Sequence, residues 1–416
     1  MTATTATTAT PPTLARELVT AVGSEHVEEL DAGNWRVSPG STAEVAEVIR
    51  RAGGHKAAIH PVGAGGRPQR GIGDRARVFI STRRLDQVLQ LDETSLLIHA
   101  EAGLTGLELE RILSPRNLSI GDYPPVVLTS SLGGLISVRT PGKSSARHGF
   151  FEDGVVGVSA VLADGRTIHT RVAPRRATGP DLARVLCGSE GTIGFITSAV
   201  LRIHVKPEVR LLAAYILPSI DAAVSAVLLS LREEAAPSGL RIYDAQEAAK
   251  HFDGLSLPPA HALLCAGTAG PTDLAACDRD LITSAVNAEG GKLGDVALAE
   301  LWWRRIHAGE PSPGASPSLQ VMATPSKLGP VYHAVTEHVA SRGGNARAHI
   351  SRFDADGAVV FFTIEGGEEL ITSAEVAAAG AGGWLLGKRA VKLDLYLEAL
   401  RAAIDPHRIM NPGTLA

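Results

Sequence analysis

The chain has 416 residues, a net charge of −4, 44% hydrophobic and 20% charged residues, the texture of a soluble globular protein too long for one core. This balance gives no electrostatic footprint for nucleic acid, and no apolar run reaches the length of a membrane span. Cys187, Cys265 and Cys277 are too widely spaced for a disulfide framework or a C-x-x-C metal pair, which points to a reducing, cytoplasmic compartment.

The opening MTATTATTATPPT is low-complexity and lacks an apolar h-region, so residues 1–27 are expected to be a tail with one short helix, Leu14–Val22. Ser41 or Thr42 can cap a helix over Ala43–Ala52 with Val45, Val48 and Ile49 inward. A strand over Ala57–Pro61 runs into Val62-Gly63-Ala64-Gly65-Gly66-Arg67. The dinucleotide fingerprint fails there, because Pro68 holds the third glycine position and no helix pattern follows. Three glycines and two arginines in eight residues instead suit an anion nest between two strands, the second being Val78–Ser81. Leu96–Ala100 reads as a strand and Leu104–Leu113 as a helix.

The stretch Gly121–Gly149 has poor periodicity, many small residues and embedded Leu, Ile and Val. A loop of that length inside a compact domain is functional when it is not disordered, and its apolar content suits the lining of a large planar ligand. Asp153–Leu162 alternates and turns through Asp164-Gly165 into Thr167–Arg171, a hairpin. The most informative stretch is Thr178–Thr197, TGPDLARVLCGSEGTIGFIT. A short helix opens at Pro180-Asp181, the turn Gly188-Ser189-Glu190-Gly191 follows, and a strand is expected over Thr192–Thr197. Bare glycine backbone there permits close approach to a flat ligand.

From Glu208 the texture changes. Strands are expected at Leu211–Leu217, Ser238–Asp244, His261–Thr268 and Leu319–Thr324, with Ala346–Ile350 and Gly357–Thr363 as a hairpin. Helices are expected at Ile220–Glu233, Asp273–Ala288, Leu328–Ser341 and Val391–Ala403. The pattern predicts an antiparallel sheet with helices on one face, a separate α+β domain.

Four stretches in order, Pro61–Gly71, Ser130–Gly149, Gly179–Thr197 and Asp405–Gly413, resemble the FAD-linked oxidase family with the vanillyl-alcohol-oxidase, or PCMH-type, fold. Leu301-Trp302-Trp303-x-Arg305 and Ala348-His349-Ile350-Ser351 add the texture of its alkylglycerone-phosphate-synthase and glycolate-oxidase/D-2-hydroxy-acid-dehydrogenase branch. The resemblance implies an α+β fold: an FAD-binding domain of two α+β subdomains over residues 28–207, a substrate or cap domain over 208–375, and a segment over 376–416 returning to the FAD domain. It implies FAD, non-covalent because Arg67 stands where an attachment residue would. Pro61, Val62, Gly63, Ala64, Gly65, Gly66 and Arg67 would cradle the pyrophosphate. Pro125, Ser130, Ser131, Gly133, Gly134, Val138, Arg139 and Thr140 would line the isoalloxazine and ribityl chain. Glu190, Gly191, Thr192, Ile193, Gly194 and Ile196 would pack on the adenosine side, with His148 hydrogen-bonding the flavin.

The branch carries a His-His-Gly-x-Gly type run where this chain reads Gly382-Gly383-Trp384-Leu385-Leu386-Gly387-Lys388-Arg389. No metal site is expected, since a lone His349 is a poor ligand set. His349 is the expected base and Arg305 the expected cation, with Arg347, Lys388 and Arg389 as further candidates for a carboxylate or phosphate clamp. The implied activity is oxidation of a small polar alcohol, hydroxy acid or biosynthetic intermediate by hydride transfer to flavin. The alternatives are a non-redox flavin enzyme of synthase type and a flavin-binding subunit of a multi-chain oxidase. The expected partner is a small-molecule substrate, with a homodimer or an oxidase complex as the assembly.

Overall fold

The structure is a computed structural model that describes residues 12–31, 33–64, 75–121, 128–139, 145–172, 181–307, 318–354, 356–386 and 395–414. Helix α1 (Pro12–Val22) packs on α2 (Thr42–Gly54). The Ser41 hydroxyl accepts from the Glu44 N–H, and Val45, Val48, Ile49 and Ala52 are buried along one side of α2, the spacing of a core-facing stripe. Beneath it lies a sheet of β1 (Val27–Asp31), β2 (Asn34–Val37), β3 (Ala58–Val62) and β4 (Arg77–Ser81), in the order β1-β2-β4-β3. The β2–β4 and β3–β4 pairs are parallel and β1–β2 antiparallel.

Seven strands follow: β5 (Val88–Asp92), β6 (Leu97–Glu101), β7 (Leu118–Ser119), β8 (Val155–Val161), β9 (Thr167–His169), β10 (Phe195–Arg202) and β11 (His204–Val205). Five form the antiparallel sheet β5-β6-β10-β8-β9, and β7 pairs with β11. The Asp164-Gly165 turn closes β8 on β9 as expected. Helices α3 (Gly106–Leu113), α4 (Leu132–Ser137), α5 (Ser145–His148) and α6 (Leu182–Leu186) fall between these strands. The strand expected over Thr192–Thr197 begins only at Phe195. Gly188, Glu190 and Gly191 all have positive φ, so the chain is still turning at Thr192.

The last sheet has eight strands: β12 (Val209–Leu217), β13 (Pro237–Asp244), β14 (Ala262–Gly270), β15 (Lys292–Leu293), β16 (Leu319–Ala323), β17 (Asn345–Asp354), β18 (Gly357–Glu365) and β19 (Trp384–Leu385). Their order is β15-β12-β14-β13-β17-β18-β16-β19, all antiparallel. Between them run α7 (Ile220–Arg232), α8 (Ala245–His251), α9 (Thr272–Ala288), α10 (Val296–His307), α11 (Leu328–Ser341) and α12 (Glu368–Gly380), and α13 (Leu395–Ile404) follows. Residues of α7, α9, α11 and α12 build the largest core with one sheet face. The expectation of helices on a single face needs correction. Trp302 and Ala299 of α10 and Ala248 of α8 pack with Ala214, Tyr243, Leu263 and Cys265 on the opposite face. Alternation decides this: Tyr215 and Ile242 point one way, Ala214 and Tyr243 the other.

Candidate functional site: a four-segment crevice and a charged sheet face

Four distant segments meet at the end of β3. A Cβ on Gly63 would meet Ser131 Oγ, so glycine lets the loop leaving β3 rest on the start of α4 without displacing that hydroxyl. Ser131 forms a bridge with Thr105, and Gly133 N–H donates to Ala102 at 2.9 Å. The 188–191 turn closes the other side. Gly188 N–H donates to Ile136 at 3.1 Å and Glu190 N–H to Ser137 at 3.0 Å. A Cβ on Gly191 would come within 2.7 Å of Pro61 Cγ. The fourth segment is Ile409–Asn411, whose Met410 bridges Ile59 of β3.

Ser131 Oγ and Ser189 Oγ in this crevice are buried without a hydrogen-bond partner. An orphaned hydroxyl is costly inside a protein, and a cofactor rich in phosphate and carbonyl acceptors satisfies such groups. Thr192, Ile193 and Ile196 are buried here, while Gly194 backs onto the Val161 carbonyl. Val138 is half-buried, and Arg139 is exposed at φ +49° with Nε 3.8 Å from Glu152 Oε1. His148 stacks on His204 at 3.9 Å, and burial lowers its pKa to about 4. Gly65, Gly66, Arg67, Pro125 and Thr140 lie outside the described residues, as do Lys388 and Arg389.

The second region is the sheet face opposite the large core. The four-residue α5 packs on β13 and β17, and Arg147 donates to the Ala269 carbonyl at the end of β14. That joins the crevice-bearing part of the chain to the strands carrying His349. His349 Nδ1 is 3.3 Å from Glu247 Oε1, and His251 Nε2 is 3.0 Å from the same oxygen. Arg347 Nε forms an ion pair with Glu247 Oε2 at 2.9 Å without hydrogen-bond alignment, while its Nη1 donates to Glu365 at 2.6 Å. The hydrogen bonds from His251 and His349 keep Glu247 ionised, well below the usual carboxylate range, despite its burial. Burial and the Arg241 charge lower the His349 pKa to about 4. The ring is therefore neutral near pH 7. With Nδ1–H donating to Glu247, the lone pair sits on Nε2. Phe361 stacks on the ring at 4.7 Å.

Asp244 fixes the helix that carries Glu247. Its carboxylate caps α8 through Glu247 N–H at 2.7 Å and accepts from Ala348 N–H at 2.6 Å and Tyr332 at 3.3 Å. Burial still raises its pKa to about 6.

Two further guanidinium groups lie beside His349. Arg241 donates to Tyr243 at 3.3 Å, and its Nε is buried without a partner. Arg352 follows Ser351, the ladder partner of Arg241, in a bulge at φ +60°. Its Cζ sits 4.9 Å over the Phe361 ring, and burial together with the Arg241 charge lowers its pKa to about 10. Among the described residues neither has a carboxylate partner. The sequence suggested Arg347 for the clamp, but that cation is already held by Glu247 and Glu365. Arg305 lies on α10, which packs over β12 and β14, with Nη1 buried and unpartnered. No described contact joins it to His349. Arg241, Arg352 and Glu247 were missed in the sequence; only the spacing Asp244-x-x-Glu247, a helix-start signal, marked one of them.

An FAD binding domain family matches residues 35–171. Alkyldihydroxyacetonephosphate synthase of Caenorhabditis elegans is 30% identical over 213 residues, which is 50% of this chain but 36% of that relative. The chain thus spans little more than a third of this relative. A probable mitochondrial D-lactate dehydrogenase of Danio rerio is 25% identical over 419 residues, 91% of this chain and 83% of the relative. A solved alkyldihydroxyacetonephosphate synthase superposes with TM-score 0.75 at 20% identity, covering 97% of this chain and 85% of that one. P-cresol methylhydroxylase with substrate bound gives 0.68 at 14% identity, covering 96% of each. At such identities the likeness is one of fold.

The crevice and these likenesses define a flavoprotein: the chain carries an FAD-binding domain and the PCMH-type fold. The relatives it resembles include alkyldihydroxyacetonephosphate synthases and a probable D-lactate dehydrogenase. Among the described residues, no helix is long and apolar enough to cross a membrane.

Proposed function

We propose that the chain is an FAD-dependent oxidoreductase that oxidises a small hydroxy acid. The observation that carries this reading is the neutral His349, oriented by Glu247, beside the Arg241–Arg352 pair. Bound FAD supplies the two-electron acceptor. The chain's own residues do the rest. Arg241 and Arg352 hold the substrate carboxylate, a role suited to guanidinium geometry. Arg305, on the same sheet face, adds positive potential. His349 Nε2 takes the hydroxyl proton, while the Glu247 carboxylate fixes the ring and stabilises the imidazolium that forms.

In this reading residues 28–207 hold FAD, 208–375 cap it and 376–416 return to it. Pro61, Val62, Gly63 and Ala64 lie at the pyrophosphate, Ser130, Ser131, Gly133, Gly134, Val138 and Arg139 at the flavin, and Glu190 to Ile196 at the adenosine. His148 has its place beside the flavin. The D-lactate dehydrogenase relative, matched over most of both chains, supports the hydroxy-acid class.

The test is anaerobic reduction of the FAD-loaded chain by a panel of 2-hydroxy acids and their uncharged alcohol analogues. The acids bleach the flavin and the alcohols do not. His349→Gln slows reduction by about 10²–10⁴-fold. Because the base form is needed, kcat/KM rises through about pH 4 and stays level to neutrality. Equal reduction rates for wild type and His349→Gln would refute the assignment.

A further inference from the structure

The side chain of Asn411 stands where three parts of the FAD crevice come together. Its backbone N–H donates to the Ile59 carbonyl at 2.7 Å, adding one residue to the bridge that Met410 makes with β3. Its Nδ2 donates to the Glu190 carbonyl at 2.6 Å. Its Oδ1 lies 3.1 Å from Nδ1 of His60, a ring 1% exposed. Burial lowers the His60 pKa, so the ring is neutral and donates from Nδ1.

The turn that Asn411 holds is a strained one. Gly188, Glu190 and Gly191 have φ of +78°, +48° and +76°. Glu190 is a residue type that disfavours this region. The same turn places the unpartnered Ser189 Oγ in the crevice and sets Gly191 against Pro61. Asn411 is presented to it by a preformed loop. The Asp405 carboxylate, 1% exposed, accepts from Ile409 N–H at 3.0 Å and Met410 N–H at 2.8 Å. Asn411 itself has φ +40°, a conformation that asparagine tolerates better than most residues.

We infer that Asn411 is a positioning residue for flavin retention: its amide pins the 188–191 turn to β3 and keeps the crevice in the shape that accepts FAD. The inference rests on the FAD-binding domain and not on the hydroxy-acid chemistry. Hence it can fail while the proposed reaction stands, and the reverse.

The experiment strips the full chain of flavin and titrates it with FAD, following flavin fluorescence, for wild type, Asn411→Ala and Asn411→Asp. Asn411→Asp keeps the Ile59 and His60 bonds but turns an acceptor toward the Glu190 carbonyl. Both variants are expected to bind FAD at least tenfold more weakly. The rise in Tm that saturating FAD produces is expected to shrink, since ligand stabilisation follows affinity. A purely structural role predicts the opposite pattern: Tm falls equally with and without FAD, and the dissociation constant is unchanged. That result in Asn411→Asp overturns the inference even if Asn411→Ala does not fold.

Discussion

The two faces of the eight-stranded sheet are made by the same strands and serve opposite ends. On β17, Ala348 and Ile350 enter the large apolar core, while Arg347, His349 and Ser351 between them are buried on the other side. Burial of hydrocarbon stabilises the first face by about 25 cal/mol for each Å² removed from water. Burial of charge on the second is costly unless every charge is paired. Glu247 is paired three times over, whereas Arg241 and Arg352 have no carboxylate among the described residues. The difference teaches where function resides: half-buried cations with no carboxylate partner, beside an oriented imidazole, are groups that an anionic ligand can complete.

The comparison can be broken most severely at Glu247. Glu247→Ala leaves Arg347 and two imidazoles without their shared anion, and chemical denaturation should show a loss of about 3–5 kcal/mol. It should also abolish substrate-driven flavin reduction. On the opposite face, Ile350→Val removes one methyl from the core. A loss of about 0.5–1.5 kcal/mol is expected in the same measurement, with FAD affinity and reduction rate unaltered. Arg241→Met should have the smallest effect on stability, within about 1 kcal/mol, because it removes a half-buried cation with no carboxylate partner among the described residues. Its effect should appear in a KM for hydroxy acids raised about tenfold or more, a loss of substrate binding that steady-state kinetics reads directly. If Arg241→Met destabilises the chain as Glu247→Ala does, the cation is structural and the contrast between the faces dissolves.

Much of the fold was legible in the sequence because its signals are local. Leu328–Ser341 forms the expected helix, with Leu328, Val331, Val335 and Val339 buried at three- and four-residue steps. The Asp164-Gly165 turn and the cap at Ser41 stand as expected. The helix Ala245–His251 escaped because its alanines and polar residues lack an apolar stripe, although Asp244 followed by Glu247 announces a helix start. Glu368–Gly380 escaped similarly; its paired acids in the first turn were the available signal. The glycine loops marked the crevice from sequence. The charge network could not be read that way. Glu247 meets His349 across 102 positions of chain, and nothing local distinguishes Arg347, which is held by two carboxylates, from Arg241, which has none among the described residues.

The bridge between Ile59 and Met410 bears on how the protein is made. His60 and Asn411 are 351 positions apart, while translation proceeds at about 5–20 residues per second and early regions fold first. The first sheet therefore emerges long before the segment that closes its cofactor crevice. For most of its synthesis the nascent polypeptide holds a half-built nucleotide berth, and a messenger cut short before residue 409 would yield a chain lacking both Ile409 and Met410 from the core of its first sheet and the bolt of its flavin compartment.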